Sequence, residues 1–158
     1  YLRNKVLSSS KATSDMVVLD FFNRYDCERI YWLNTVSPLQ TIQDIKVFYE
    51  SSQDSKWKSG VSVSKNQVHA CHNGNPLNFK WHNGFARTQD LYPVMCFNYA
   101  MMGWHKNMIK DLREGYLFNK DTFLQESSVW SSFLLKNIDD MELIKTLSKV
   151  APDQGLKF

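Results

Sequence analysis

Apolar residues follow a helical spacing near the start of the sequence, after a polar stretch that shows no period. Residues 1–12 end in the run SSSKA, which predicts a loose N-terminal arm. Beyond this arm, Val18 and Phe22 fall on one side of a helix, and Asp15 favours a helix N-terminus. We therefore expect a first helix over residues 14–33.

Two short stretches and a hairpin in the middle of the chain are typical of β-structure. Lys46–Glu50 and Gly60–Ser64 contain Val, Phe and Tyr, side chains that fit a pleated surface. Gln67–His82 holds two alternating runs around Asn73–Pro76, a cluster of turn-forming residues that predicts a β-hairpin. Together these stretches predict an antiparallel meander of about four strands.

The last two-fifths of the chain has the spacing of helices. Apolar side chains within residues 94–108 recur at alternating helical intervals, which predicts the main core helix, ended at Gly115. A further helix is expected over Thr122–Lys136, and a short one that Asp139 caps and Pro152 ends. The predicted fold class is α+β: a central antiparallel meander packed by an N-terminal helix and three C-terminal helices.

Length and composition indicate a single globular domain. The chain has 158 residues, and no Pro/Gly-rich linker divides residues 1–158. The longest uncharged stretches fall far short of the ~20 apolar residues that a membrane span requires, so we expect a soluble chain with no membrane partner. The start at Tyr1 rather than Met fits a domain excised from a longer chain. The cysteines, Cys27, Cys71 and Cys96, are odd in number, which favours free thiols and a reducing compartment.

One face of the predicted hairpin carries chemically active side chains. With Asn73–Pro76 as a four-residue turn, His69 lies opposite Lys80, and His82 is a diagonal neighbour roughly 7 Å away. The alternation directs Phe79 to the other, core-facing side. Two imidazoles and an ammonium group are therefore predicted to share one solvent-facing patch.

Positive charge is concentrated in the same part of the sequence. The net charge is only +3, but residues 51–110 hold seven Lys and Arg against two Asp, together with all four histidines. This stretch suits an anionic partner, because cations neutralise phosphates and aromatic faces stack on bases. The alternative is a set of solvated side chains on the outer face of a sheet, with Trp57 folded back onto the core. Outside the hairpin, the candidate binding residues are Lys56, Trp57, Lys58, Arg87, His105, Lys106 and Lys110.

Three functions fit these patterns. The first is a binding domain whose basic, His-rich face within residues 51–110 engages nucleic acid or another anionic partner. The second is a metal-independent ribonuclease-like hydrolase, an effector or toxin domain in which His69 and His82 exchange protons and Lys80 stabilises the phosphorane. The third is a protein-interaction domain. A zinc site of His69, Cys71 and His82 is a weaker alternative; no signature motif of a metal or cofactor enzyme occurs, so we expect no cofactor, and the oligomeric state is left open.

Overall fold

A computed structural model describes residues 2–54, 56–82 and 84–150, which contain four α-helices, six strands and two short 3-10 helices. The helices are α1 (Ser14–Arg24), α2 (Ile42–Ser51), α3 (Ile109–Arg113) and α4 (Ile138–Val150). The strands are β1 (Arg29–Leu33), β2 (Ser59–Asn66), β3 (Cys71–His72), β4 (Asn75–Pro76), β5 (Val94–His105) and β6 (Phe123–Glu126). None of these helices has the length and apolar character needed to cross a bilayer.

The main sheet has the strand order β1-β5-β2-β6, and β3 and β4 form a separate ribbon. Strand β5 is antiparallel to both of its neighbours, whereas β6 runs parallel to β2. The predicted α+β class, with a mostly antiparallel four-stranded sheet and four helices, is confirmed. The strands are not joined as a meander, because β5 follows β2 by a long loop and inserts between β2 and β1.

Helices cover both faces of the sheet and create two apolar cores. Phe22 of α1 and Leu112 of α3 belong to the larger core on one face. Phe48 of α2 belongs to a smaller core on the other face. Successive strand residues point to opposite faces, so Met101 contributes to the smaller core and Met102 to the larger one.

A pair of glycines makes room for Trp57 in the smaller core. Gly60 of β2 and Gly103 of β5 lie directly opposite each other. A Cβ atom would lie 2.8 Å from the Trp57 ring if added at Gly60, and 2.7 Å from it if added at Gly103. The ring of Phe48 packs edge-on against Trp57 with a centroid distance of 6.3 Å. The indole is therefore clamped between the sheet and α2, and Trp57 is only 5% exposed.

A bulge interrupts the pairing of β2 with β5 next to the two glycines that contact Trp57. Val61 pairs with Met102 but Val63 pairs with Phe97, so residues 98–101 bulge out of the ladder. The buried Asn98 fills the gap: its Oδ1 accepts from the Ser62 hydroxyl at 2.6 Å, and its Nδ2 donates to the hydroxyls of Ser64 and Ser127 at 3.0 and 2.9 Å. This network ties β2, β5 and the end of β6 together.

The N-terminal part of the chain differs from its prediction in two ways. Residues 2–12 are not loose: they form hydrogen-bonded turns, and Leu7 is buried while its N–H donates to Asn4 Oδ1 at 3.0 Å. Helix α1 also ends at Arg24, well before residue 33, because Tyr25 already has an extended backbone and Arg29–Leu33 form β1. The Ile, Tyr and Trp of β1 suit a pleated strand.

The prediction of a strand over Lys46–Glu50 is wrong, because this stretch belongs to α2. The hydroxyl of Thr41 accepts from the Asp44 N–H at 3.0 Å and donates to the Asp44 carboxylate at 2.8 Å. This reciprocal cap begins the helix, and Phe48 then faces the core at helical spacing. Local capping therefore outweighs the strand preference of Val, Phe and Tyr, whereas the strand predicted over Gly60–Ser64 is confirmed as part of β2.

The main core helix predicted over residues 94–108 is wrong as well, since residues 94–105 form β5 and only Ile109–Arg113 are α-helical. Apolar side chains in β5 serve both cores, so their spacing does not mark one helical face. Gly103 was the available clue: glycine costs about 1 kcal/mol inside a helix. In a strand it permits the close approach seen here for Trp57.

The C-terminal prediction is confirmed only in its last helix. Within Thr122–Lys136, Phe123–Glu126 form β6, and the residues that follow make turns rather than helix. Helix α4 occurs where a short helix was expected. Its start is capped by Asn137, whose Oδ1 accepts from the Asp140 N–H at 2.9 Å, rather than by Asp139. Pro152, predicted to end this helix, lies outside the described residues.

Asp44 connects the start of α2 to the segment after β6. Its Oδ2 accepts from the hydroxyls of Ser128 and Ser131 at 2.5 and 2.6 Å, and its Oδ1 accepts from the Ser128 N–H at 3.1 Å. Burial is the largest single influence and raises the pKa of Asp44, but the hydrogen bonds from Ser128, Ser131 and Thr41 together outweigh it. The pKa of Asp44 is therefore held below its ordinary value of 3.8.

Replacing Gly103 by alanine is expected to destabilise the fold by about 1–3 kcal/mol, because the new methyl group overlaps the Trp57 ring. Urea denaturation of Gly103→Ala measures this loss. A Trp57→Phe background is the control: removing the outer ring leaves room for the methyl group, so the two substitutions together should cost less than the sum of the single ones. Strict additivity would show that the glycine is not required by Trp57.

Replacing Asp44 by asparagine is expected to lower the free energy of unfolding at pH 7 by about 2 kcal/mol, because charge-assisted hydrogen bonds are lost. The folded-state pKa is depressed, so the stabilisation is present above the unfolded value of about 3.9 and is lost as the pH falls through the lower folded value. The difference between wild type and Asp44→Asn should therefore shrink below about pH 4. A difference that stays constant from pH 7 to pH 2.5 would contradict the proposed role of the charge.

Candidate functional site

A long loop leaves β2 and returns to β5 over residues 67–93, and we call it the β2–β5 loop. Its two ends are adjacent, because Asn66 pairs with Val94 at the end of the sheet. The side chain of Gln67 closes the neck by donating to the carbonyls of Gln89 and Leu91 at 2.9 and 3.3 Å. The loop therefore projects from a fixed base in the sheet.

The predicted hairpin exists in shortened form at the tip of this loop. Asn73 and Gly74 have φ values of 48° and 77°, the left-handed pair that a tight two-residue turn requires. His72 pairs with Asn75, so the expected four-residue turn and its register are wrong. Pro76 fits this register because it pairs with Cys71, at a position where no N–H is needed for a hydrogen bond between the strands. The next N–H, that of Leu77, donates to the Ala70 carbonyl at 2.8 Å.

Asn78 holds the two legs of the loop together. Its Oδ1 accepts from the Ala70 N–H at 3.0 Å, and its Nδ2 donates to the carbonyls of Val68 and Tyr92 at 2.8 Å each. Sequence reasoning missed this residue. The available signal was an asparagine inside an alternating run. Asparagine is unfavourable in a strand, so its presence there indicates a side-chain amide that bonds to backbone groups.

His69 lies inside an aromatic cluster rather than on an open polar face. Its ring stacks on Phe85 with a centroid distance of 4.1 Å and meets Phe79 edge-on at 5.0 Å. Its Nε2 lies 2.8 Å from the Ala86 carbonyl oxygen, so this nitrogen donates the hydrogen bond. The predicted separation of His69 from Phe79 onto opposite faces is therefore wrong, because the strands end before this point and the loop folds onto itself.

An open cavity of about 680 Å³ lies on the β2–β5 loop beside this cluster. Lys80 and His82, two of the three predicted catalytic residues, line it together with Tyr92. Tyr92 is 84% exposed, so its ring is available to a ligand. The remaining lining residues are Leu77, Asn78, Phe79, Gly84, Ala86, Asp90, Leu91 and Pro93.

The charged groups of this cavity leave an excess of positive charge. Asp90 is the single described carboxylate in the lining, and Arg87 pairs with it at 2.8 Å. Lys80 is exposed and has no ion-pair partner among the described residues. The lining of the cavity therefore combines an uncompensated ammonium group, an imidazole and an exposed tyrosine.

The other candidate binding residues lie elsewhere in the fold. Trp57 lies in the smaller core, in agreement with the expectation that it folds back onto the core. Lys56 and Lys58 flank it on the surface. The Lys58 carbonyl accepts from the His105 N–H at 2.8 Å, which places Lys58 at the far end of β5 from the loop. Lys110 is exposed on α3.

His105 and Lys106, two of the candidate binding residues, share the carboxylate of Glu28. Glu28 accepts from the Lys106 ammonium group, and its other oxygen lies 3.4 Å from His105 Nε2. The hydrogen bond from Lys106 lowers the pKa of Glu28 and raises the pKa of Lys106 itself. These two cations are thus partly neutralised within the chain.

Metal-ligating side chains do not converge in the described parts of the chain. No group of three or more His, Cys, Asp and Glu side chains is arranged to hold a metal ion there. The zinc alternative for His69, Cys71 and His82 therefore has no geometric support. Cys71 and Cys96 are exposed free thiols, and Cys27 is a half-buried one whose pKa is raised by burial and by Asp26 and Glu28.

Comparison with known proteins indicates a fold but not a family. No protein-family model matches the sequence, and no curated protein sequence matches it. The structure is similar to the solved structure of 4-diphosphocytidyl-2C-methyl-D-erythritol synthase from Anaerococcus prevotii DSM 20548, with a TM-score of 0.58 over 91% of this chain and 74% of that chain. The two sequences are 8% identical, so the likeness shows the fold alone.

Replacing Asn78 by alanine is expected to open the β2–β5 loop while leaving the sheet intact, because three hydrogen bonds between its legs are lost. Hydrogen exchange measured residue by residue should be faster at Ala70, while exchange in β5 should be unchanged. Asn75→Ala is the matched control, since the Asn75 amide makes only a 3.5 Å contact within the turn. Unchanged exchange at Ala70 would show that Asn78 does not hold the loop.

Proposed function

We propose that this chain is a binding domain for an anionic ligand and that the cavity of the β2–β5 loop takes a nucleotide, an aromatic base joined to phosphates. The observation that carries the proposal is the combination of Lys80, His82 and the exposed Tyr92 in the lining of one cavity. Cations attract phosphate oxygens, and an exposed aromatic ring provides a stacking surface for a base.

The size of the cavity supports a ligand of this class. Its volume of about 680 Å³ falls within the range of roughly 300–1,000 Å³ that is typical of small-molecule sites. It lies on a loop anchored in a sheet, which is where binding residues commonly occur. Because Arg87 offsets the charge of Asp90, a phosphate entering beside Lys80 meets little repulsion from the lining.

The structural neighbour adds support of a limited kind. It is a synthase named for a product that carries a diphosphocytidyl group, which consists of a pyrimidine nucleoside and two phosphates. A shared fold does not transfer a function. The name nevertheless makes a cytidine nucleotide the natural first ligand to test.

The hydrolase alternative receives less support from the geometry. It needs His69 and His82 as an exchanging acid and base beside Lys80. His69 Nε2 is engaged with the Ala86 carbonyl and its ring is stacked on Phe85, so only Lys80 and His82 face the cavity. Nothing in the described residues favours the protein-interaction alternative at this cavity over a small ligand.

Calorimetric titration with cytidine 5′-diphosphate tests the proposal, with cytidine and inorganic pyrophosphate as the two half-ligands. Lys80→Ala should weaken the binding of cytidine 5′-diphosphate at least about tenfold, since a charge-assisted hydrogen bond is worth roughly 1.5–3 kcal/mol. Tyr92→Ala should weaken the binding of the nucleotide by a similar factor and leave the binding of pyrophosphate unchanged, because stacking contributes about 1–3 kcal/mol per base. Binding should also decrease as salt is added.

Two surface substitutions away from the loop serve as matched controls. Lys11→Ala removes an exposed lysine and Tyr116→Ala removes an exposed tyrosine, and neither should change the affinity. No binding of the nucleotide at 5 mM, or equal losses in all four variants, would overturn the proposal. Cleavage of labelled RNA in EDTA that His82→Ala abolishes would instead favour the hydrolase alternative.

A further inference from the structure

The open edge of β1 and a groove beside it form a second surface, independent of the β2–β5 loop. Strand β1 is the last strand on its side of the sheet, with β5 as its neighbour on the other side. Its pairing with β5 is continuous from Arg29 to Leu33, without a bulge. The edge also lacks proline and lysine, the residues that commonly prevent strands from pairing at sheet edges.

The hydrogen bonds that flank β1 identify which of its backbone groups face outward. The Lys106 N–H donates to the Glu28 carbonyl, and the Asn34 N–H donates to the Ala100 carbonyl, both at 2.9 Å. Alternation along an antiparallel ladder therefore directs Ile30 and Trp32 toward β5. The backbone groups of Arg29, Tyr31 and Leu33 point to the open edge, and among the described residues none has a backbone or side-chain partner there.

A groove of about 290 Å³ runs between this edge and helix α2. Tyr31 and Leu33 line it from β1, and Phe48 and Tyr49 line it from α2 together with Ile45 and Lys46. Leu33 is 46% exposed and Tyr49 is 52% exposed, although both side chains are largely apolar. The groove therefore lies on the face of the sheet that carries the smaller core, where the side chains of Tyr31 and Phe48 pack.

We propose that this surface binds an extended apolar segment of a different polypeptide, which adds to the sheet as a strand beside β1. The unpaired backbone groups require a strand, because only an extended chain presents matching donors and acceptors along an edge. Alternate side chains of that strand would enter the groove next to Tyr31 and Leu33.

Charge distinguishes this occupant from a second copy of the chain. Arg29 at the start of the edge and Lys46 in the groove wall have no described ion-pair partner. A second copy paired antiparallel through its own β1, centred on Tyr31, would set its Leu33 opposite Arg29 and supply no carboxylate there, whereas a segment with a flanking Asp or Glu complements the guanidinium group. The proposed partner strand is therefore apolar at alternate positions and acidic at one end.

A synthetic peptide of alternating Val and Thr with one terminal Glu is the probe. Two versions with backbone N-methyl groups on every second residue, one in each phase, test for strand pairing. Only the phase that removes the N–H groups facing β1 should abolish binding. On binding of the unmodified peptide, hydrogen exchange should slow at Tyr31 and Leu33 and remain unchanged at Ile30 and Trp32, which already bond to β5.

Leu33→Lys should weaken the peptide at least tenfold by placing a charge in the groove. Val36→Lys, at an apolar residue of similar exposure beyond the strand, should leave the affinity unchanged. Unaltered exchange at Ile30 and Trp32 shows that Leu33→Lys is folded. No binding at 1 mM peptide, or equal binding of both N-methylated phases, would overturn the proposal. If exchange at Tyr31 and Leu33 slows in the free chain as the protein concentration rises, the edge pairs with a second copy of the chain. That result would also overturn the proposal.

Discussion

The contact between the Trp57 ring and the opposed glycines Gly60 and Gly103 is the constraint on which this fold depends. Side chains larger than hydrogen at either glycine would overlap the indole. The contact sets β2 and β5 side by side at the centre of the sheet and places α2 over them through Phe48. The strand β5, which comes late in the sequence, is thereby held beside the earlier strand β2.

The positions of the two proposed binding surfaces follow from how β2 and β5 are connected and paired. At one end, Asn66 and Val94 bring the two legs of the β2–β5 loop together, and Gln67 and Asn78 then hold them by bonds to backbone. The loop can therefore be long without being loose. At the side of the sheet, β1 is fully paired with β5 on one edge and leaves its other edge open. The sheet thus presents two surfaces of different chemistry, a cavity with an unpaired lysine and a histidine on the loop and an apolar groove at the edge of β1.

Local signals in the sequence were reliable where local chemistry decides the structure. The chain reversal at Asn73–Pro76, the Val-rich part of β2 and helix α4 are predicted and present, although the reversal is a tighter turn at Asn73 and Gly74. Lys80 and His82 line one cavity without His69, and the register from which a shared patch of all three is predicted is wrong. In this respect the turn residues and the clustered charge carried more information than strand parity did.

The rest depended on contacts between distant residues, which periodicity does not reveal. Strand β5 was read as a helix because its apolar residues serve two cores, and a strand buried on both faces loses its alternation. His69 was assigned to a polar face because alternation was extended past the last paired residue, whereas the loop turns its ring onto Phe85. Asn78 and Tyr92 have no sequence motif; their roles follow only from the two legs of the loop being adjacent.

The most direct test of the proposed function is a map of chemical shifts as cytidine 5′-diphosphate is titrated into the protein. The account predicts that the affected signals belong to the lining of the loop cavity, with Lys80, His82 and Tyr92 among them, and that signals around Lys58 and His105 at the far end of the sheet are unchanged. Changes centred on Lys58 and His105, or no changes at millimolar nucleotide, would contradict it.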